Sequence, residues 1–267
     1  SNSWTPAKLK NPINEHEPLL RGSLFKSLFS AVNTNVKKGH LVIKVFEAGN
    51  VFFKSKSSFK QELHLSGIIY HHETPTNWSN RKFSYDFYSL KAEMLSLLKA
   101  AGVQDIQFKQ TASCMPFNKN ALEIFEGKTK IGVFGEIDLA LTEKLIKKPA
   151  LGFEIYPERI SFHTKQNKMK STSKFPLSAK DINVIVNKSH TYSEIENTLT
   201  QGKIRHLSSF NLVNTYEGKD IEAGAISMTL RFIFQSKTKS LTDSEINDSM
   251  KKAFQLLERG LKVKIRS

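Results

Sequence analysis

The stretch SLTDSEINDSMKKAFQLLERGLKVKIR, residues 240–266, decides the fold. Thr242 followed three residues later by Glu245 has the spacing of a capping box, and Leu241 can staple onto Ile246. Ile246, Met250, Phe254 and Leu257 recur at helical spacing, and Gly260 is the expected stop. KVKIR then alternates as a short strand, with Val263 and Ile265 inward and Lys262, Lys264 and Arg266 outward.

The same grammar is legible upstream. DINVIVNK (181–188) puts Ile182, Val184 and Val186 on one face of a strand. In SHTYSEIENTLTQG (189–202), Thr191 and Glu194 form a second capping-box spacing, Ile195 and Leu199 a helical stripe, and Gly202 a stop. HLSSFNLVNTY (206–216) and AISMTLRFIFQ (225–235) read as two strands joined by a loop containing Gly218 and Gly224. The order βαββαβ is the ferredoxin-like split unit. Its sheet packs one face on two helices and leaves the other open. Ile226, Met228, Leu230 and Phe232 are the large apolar set and face the helices, so Ser227, Thr229 and Arg231 face outward, with Asn183 and Asn211 beside them by parity. Lys262, Lys264 and Arg266 make that face polar and basic, which suits phosphate and base contacts. A solvent-facing sheet is polar in any protein, and this one lacks the paired aromatics on which RNA-recognition motifs stack bases.

Composition sets the outer bounds. The chain has 267 residues, 39% of them hydrophobic with 19 Phe, enough for one large domain or two ordinary ones. A net charge of +15 favours a polyanionic partner, either nucleic acid or an anionic membrane surface, although a lysine-rich proteome gives the same balance. Cys114 stands alone, which excludes an intramolecular disulfide and fits a reducing cytosol. No apolar run has the length of a membrane span, and no signal-peptide core opens the chain. Ser1 is no initiator, Ser1-Asn2 reads as a tag remnant, and the chain reads as part of something longer. RISFHTKQNKMKSTSK (159–174) carries Arg159, Lys165, Lys168, Lys170 and Lys174 with no acid. It reads as a domain junction or a solvated loop. The expected division is a first domain over 1–158, a basic linker over 159–173 and a second domain over 174–267.

The first domain mixes helices and strands without strict alternation, which predicts α+β architecture on a mixed or antiparallel sheet. SLFKSLFSAV (23–32) has a helical stripe at Leu24, Leu28 and Val32. HLVIKVFEAGNVFFK (40–54) reads as two strands around a turn at Gly49-Asn50, and ELHLSGIIYH (62–71) as another strand. DFYSLKAEMLSLLKAAG (86–102) predicts a helix with Phe87, Leu90, Met94, Leu97 and Leu98 inward. NALEIFEGKTKIGVFGEI (120–137) is a hairpin turning at Glu126-Gly127, and LGFEIY (151–156) a last strand. Catalytic signals are weak. His71-His72-Glu73 suggests a metal at first sight, but adjacent strand residues point to opposite faces. There is no phosphate loop, nucleophile elbow or HExxH motif. Glu47 and Glu136 each sit beside a glycine and read as structural or interface residues.

The residues carry a resemblance that goes further. NPINEHEPLLRGSLFKSLFSAV followed by VFEAGNVF, then DFYSLKAEM and IGVFGEI, resemble consecutive motifs of the bacterial phenylalanyl-tRNA synthetase beta subunit. FPLSAKDINVIV, LVNTYEG, LRFIFQSKTKSLTDSEI and the closing IR are similar to its last domain. The matches run in order from Asn11 to Arg266.

The resemblance implies a C-terminal part of that subunit: a class II synthetase-like domain without catalysis of its own, then a ferredoxin-fold anticodon-binding domain. It implies an α2β2 heterotetramer in the cytoplasm that joins phenylalanine to tRNA(Phe), with ATP and Mg on the alpha subunit and no cofactor on this chain. The first domain is then expected to expose an apolar surface for alpha, with Phe25 and Phe29 on it. Lys180, Asn183, Asn211, Asn214, Ser227, Arg231, Lys262, Lys264 and Arg266 are the residues expected to meet tRNA. The family's pattern is kept at Lys180, Asp181, Arg231 and Arg266, whereas Asn214 stands where it has Asp and Gly224-Ala225 where it has Lys-Ser. Asn50 replaces its Arg, PFNKNA (116–121) replaces HPGRSA, and Phe53 sits near the place of an alpha-subunit arginine that holds ATP. A stand-alone RNA- or ribosome-binding protein reusing the same two domains is the other reading.

Overall fold

The computed structural model describes residues 5–6, 19–55, 58–71, 85–111, 115–142, 150–162, 173–218 and 220–265. It divides into two compact units, 1–166 and 167–267. Ser1-Asn2, His72, Glu73, Cys114, Lys165, Lys168, Lys170 and Arg266 lie outside the described residues.

Seven strands of the first unit form one sheet among the described residues: β1 (Thr5–Pro6), β2 (Val42–Ser55), β3 (Ser58–His71), β4 (Ile106–Gln110), β5 (Phe117–Glu126), β6 (Thr129–Ile137) and β7 (Leu151–Ile155). Their order is β1-β2-β3-β7-β6-β5-β4, and every pairing is antiparallel. Helix α1 (Phe25–Lys37) packs on one face, where Ile43, Ile68, Tyr70, Val133 and Ile137 join its Leu28 and Val32. Helix α2 (Phe87–Ala100) packs on the other, where Ile69, Ile124, Phe134, Leu151 and Ile155 meet its Leu90, Met94 and Leu98. Ile68 and Ile69 thus serve two separate cores, as the two-residue side-chain period of a strand requires. The short helix α3 (Leu139–Thr142) follows β6.

Three expectations for this unit are corrected. Gly49-Asn50 is no turn: β2 runs unbroken for 14 residues, and its register with β3 passes Gly49↔His64 without a shift. The glycine is there because the Arg21 guanidinium lies where a Cβ would project, 2.3 Å from it. Leu97 is 42% exposed, because α2 presents Leu90, Met94 and Leu98 to the sheet. Phe25 and Phe29 are buried in the α1 core and not on a free surface. The exposed large apolar side chains of this unit include Phe46 and Tyr88 instead. Strand β4 had no signal strong enough to be read from sequence.

The second unit has β8 (Ser178–Asn187), α4 (Tyr192–Gln201), β9 (Leu207–Tyr216), β10 (Ala225–Phe234), α5 (Asp243–Leu261) and β11 (Lys264–Ile265). The sheet order β11-β8-β10-β9, antiparallel throughout, is that of the ferredoxin-like unit read from the sequence. Both capping boxes form, with Thr191 accepting from the Glu194 amide and Thr242 from the Glu245 amide. Both helices bury one stripe on one sheet face: Ile195 and Leu199 of α4, Ile246, Ala253, Leu257 and Leu261 of α5, over Val184, Val186, Leu230, Phe232 and Phe234. Gly260 does not stop α5. It lies in the last turn, where a Cβ would come within 3.3 Å of Thr198 on α4, so its absent side chain serves helix–helix approach. The stop falls at Lys262, which takes the left-handed conformation at φ 53°.

Candidate nucleic-acid interface

The open face of the four-stranded sheet follows from register. Directly opposite residues share a face, and β10 pairs Ser227 with Ile185, Thr229 with Asn183 and Arg231 with Asp181 on β8. On β9 the same three residues face Tyr216, Asn214 and Asn211. Asn211 and Asn214 are three positions apart, so strict alternation would put them on opposite faces. A register shift between Thr229 and Leu230 leaves Val213 as an extra residue, 48% exposed, and turns both asparagines to the open side. Asn187 completes a set of four amides on this face, with Asn183, Asn211 and Asn214.

Two cross-strand pairs organise it. The Arg231 guanidinium donates two hydrogen bonds to Asp181, Nε to Oδ1 at 2.8 Å and Nη2 to Oδ2 at 2.7 Å. Those bonds hold the Asp181 carboxyl below the ordinary carboxylate range. One rung away, Thr229 Oγ1 donates to Asn183 Oδ1 at 2.8 Å. Asn183 keeps its NH2 group as a donor, and Arg231 keeps the N–H groups that Asp181 does not use.

The structure places the expected contact residues unequally. Asn183, Asn211, Asn214 and Arg231 come together on the open face and are exposed. Lys264 is exposed beside them, on β11 opposite Ile185, with Glu222 at 3.6 Å. Ser227 shares the face but is only 4% exposed, since its short side chain lies between Ile185 and Tyr216. Lys180 is opposite Phe232, which points to the helices, so its side chain leaves from the other face. Lys262 is the cap residue of α5 and belongs to no strand. Arg266 lies outside the described residues.

The face is therefore polar and amide-rich where a basic one was expected. Arg231 is matched by Asp181 and Lys264 stands near Glu222. Sequence reading missed Asp181 as the partner of Arg231, Asn187, and Tyr216, a single aromatic 43% exposed on this face. Only the bulge reveals Tyr216, because strict parity from Asn211 puts it inward.

In the first unit the polar groups of the α1 face are tied to one another. His64, 4% exposed, has Nδ1 3.0 Å from Glu154 and its ring against Tyr156. Arg159 donates to Glu62 at 2.6 Å and lies over the Tyr156 ring. Glu47 accepts from Arg21 and from Ser27; on the other face, opposite Leu151, Glu136 accepts from the side-chain amides of Asn118 and Asn120 at 3.0 Å each. Phe53 is buried. Among the described residues no group of three His, Cys, Asp or Glu side chains is placed to hold a metal ion, and no helix is long and apolar enough to cross a membrane.

Comparison with known proteins assigns both units. Residues 1–156 match the family model of the phenylalanyl tRNA synthetase beta chain CLM domain, and residues 173–266 that of the ferredoxin-fold anticodon binding domain. The chain is 26% identical over 97% of its length to the phenylalanine–tRNA ligase beta subunit of Lactobacillus acidophilus. It is 28% identical over 98% to that of Wigglesworthia glossinidia brevipalpis, and 26% identical over 98% to that of Thermotoga maritima. It spans 33% of the length of each of these three relatives. A pyrrolysyl tRNA synthetase structure from Desulfitobacterium hafniense aligns with 53% of this chain and 47% of its own, at 16% identity and a TM-score of 0.41, too low to bear on function. With residues 1–156 and 173–266 matched in the expected order, the chain belongs to the phenylalanyl-tRNA synthetase beta chain family.

Proposed function

We propose that the chain is the C-terminal part of the beta subunit of a cytoplasmic phenylalanine–tRNA ligase, in which the second unit receives the anticodon arm of tRNA(Phe) on its open sheet face. The first unit supports the active site of an alpha subunit within an α2β2 assembly and performs no chemistry itself. ATP and Mg act on alpha. The observation that carries the reading is the row of exposed amides on the sheet face turned away from the unit's two helices: Asn183, Asn211 and Asn214, joined by Thr229 and Arg231. Side-chain amides present a donor and an acceptor at a fixed spacing, which matches the edges of unpaired bases. Reading bases on a sheet surface needs such groups more than it needs charge.

The test is binding of a tRNA(Phe) transcript by Asn183→Ala and Asn211→Ala variants of the 267-residue chain. Each is expected to weaken binding by about 1–2 kcal/mol, roughly five- to thirtyfold, with little change in salt dependence. Unchanged affinity in both variants would remove the sheet face as the tRNA site.

A further inference from the structure

The charge that the open face lacks is gathered at one end of the same sheet. Strand β8 begins, β10 ends and β9 begins at that end, since Ser178 is opposite Phe234 and Phe234 opposite Leu207. Three loops are knitted there. Gln235 donates its backbone N–H to His206 O at 2.9 Å and its side-chain amide to Phe175 O at 2.8 Å, and Ser173 Oγ donates to Ser236 O at 2.7 Å. These loops and the start of β8 carry Lys174, Lys180, Lys203, Arg205 and Lys237, all exposed. Among the described residues none of the five has an ion-pair partner.

The opposite end of the sheet is electrically different. There Lys188 pairs with Glu217 at 2.6 Å, and Lys264 stands 3.6 Å from Glu222. At the basic end the neighbouring acids are Glu245, taken by Lys239 at 2.6 Å, and Asp248. The loop between α4 and β9 is also held in an uncommon shape, with Lys203 at φ 44° and His206 at φ 60°, neither a glycine. Left-handed non-glycine residues cost free energy and persist where surroundings fix them. Here they bracket Arg205, whose carbonyl is tied to Ser249 Oγ at 3.0 Å, while Lys252 Nζ reaches Lys203 O at 3.3 Å.

We infer that this basic end, centred on Lys203, Arg205 and Lys237, holds the phosphate backbone of the RNA whose bases lie on the adjoining amide face. The inference rests on the tRNA-binding reading above and adds a division of labour and a direction. Uncharged groups on the sheet read bases, and the loops at the Asn211–Arg231 end of the sheet neutralise phosphates. The RNA backbone therefore runs off the sheet past the start of β9 and not past the end where Lys188 and Lys264 stand.

The experiment compares the 267-residue chain with a Lys203→Ala/Arg205→Ala/Lys237→Ala variant and a Lys188→Ala variant. The measurement is affinity for a tRNA(Phe) transcript across a salt series, with circular dichroism checking that each variant folds. Each phosphate contact contributes about 0.7–0.9 to the slope of log affinity against log salt. The triple variant is expected to lose at least tenfold in affinity at 100 mM salt and about two units of slope, while the Lys188 variant changes little. An unchanged slope in the triple variant, in a chain whose binding still responds to Asn183→Ala, would overturn this inference and leave the sheet-face reading standing. Binding that responds to the triple variant but to neither amide variant would instead overturn the sheet-face reading. A slope lost equally in both charge variants would mean diffuse attraction and would overturn the assignment of direction.

Discussion

The Arg231 guanidinium and the Asp181 carboxylate face each other directly across two strands, in a two-bond fork at the centre of the open sheet face. Both are roughly half exposed, so the pair does little for folding. Its consequence is electrostatic: it presents Arg231 in one orientation while cancelling its net charge. The two halves should therefore respond in opposite directions. Asp181→Asn removes the counter-charge and should tighten tRNA(Phe) binding, adding up to about one unit of salt slope as Arg231 becomes available to a phosphate. Arg231→Ala leaves a lone carboxylate on the face and should weaken binding. The same sign of change in both variants would mean that the pair is only a surface ion pair.

Glu245 offers a test by pH. Its carboxylate accepts from Lys239 Nζ and from the backbone amide of Thr242, contacts that pull its pKa from the usual 4.5 to about 2. A carboxyl with a depressed folded-state pKa stabilises the fold fully above its unfolded value, and loses that contribution as pH falls toward the folded one. The window is therefore between about pH 5 and pH 2. Thermal melts over this range should show the second unit losing stability with acid. Glu245→Gln, which keeps much of the capping geometry, should flatten that limb. An identical pH profile for the variant would mean that other carboxylates control the acid response.

The second unit was legible in the sequence almost element by element, because its helices carry their own caps and its strands alternate cleanly. Thr191 with Glu194, and Thr242 with Glu245, fix where each helix starts, whatever the rest of the chain does. Counting parity along β9 failed at Val213, since one inserted residue inverts every later side chain and leaves no mark in the composition. Charge was misplaced for a related reason. Lys262 read as outward and Lys180 was expected at the tRNA through the family resemblance, yet one is a helix cap and the other opposes Phe232. Asp181 was in view as a residue, but its pairing with Arg231 depends on a register that no single strand encodes. In the first unit glycine was the main obstacle. Gly49 has the look of a turn residue, and only the distant Arg21 explains it.

That contrast between glycines is itself testable. At Gly49 an added Cβ would meet the tip of the Arg21 side chain, which can swing away at the cost of its bonds to Asn50 O and Glu47. At Gly135 it would meet backbone, 2.5 Å from Asn120 O and 2.6 Å from Ala121 Cα, on a central strand pair of the sheet. Backbone cannot yield without disturbing the ladder. Gly49→Ala should therefore cost about 1 kcal/mol or less, and Gly135→Ala about 3 kcal/mol or more. Denaturant titration of the first unit checks the order, and equal losses would contradict this account of Gly49.

The last prediction concerns chemistry. Aminoacyl-adenylate formation puts negative charge on the reacting α-phosphate, and stabilising it takes preorganised cations or hydrogen-bond donors. Phe53, which stands near the place of alpha's ATP-holding arginine in the family resemblance, is a buried aromatic and offers neither. Further along the same sheet face the polar groups are engaged with each other: His64 and Ser66 with Glu154, Arg159 with Glu62, Arg21 and Ser27 with Glu47. Arg159 lies against Tyr156 and Glu62, so recruiting it to a phosphate would expose a half-buried carboxylate without its partner. The purified chain should accordingly give no phenylalanine-dependent exchange of pyrophosphate into ATP. Replacing Phe53 with Arg should not create it, because one cation does not supply the remaining contacts to nucleotide and amino acid. Exchange above background by the wild-type chain, free of any alpha subunit, would overturn its assignment as a supporting unit.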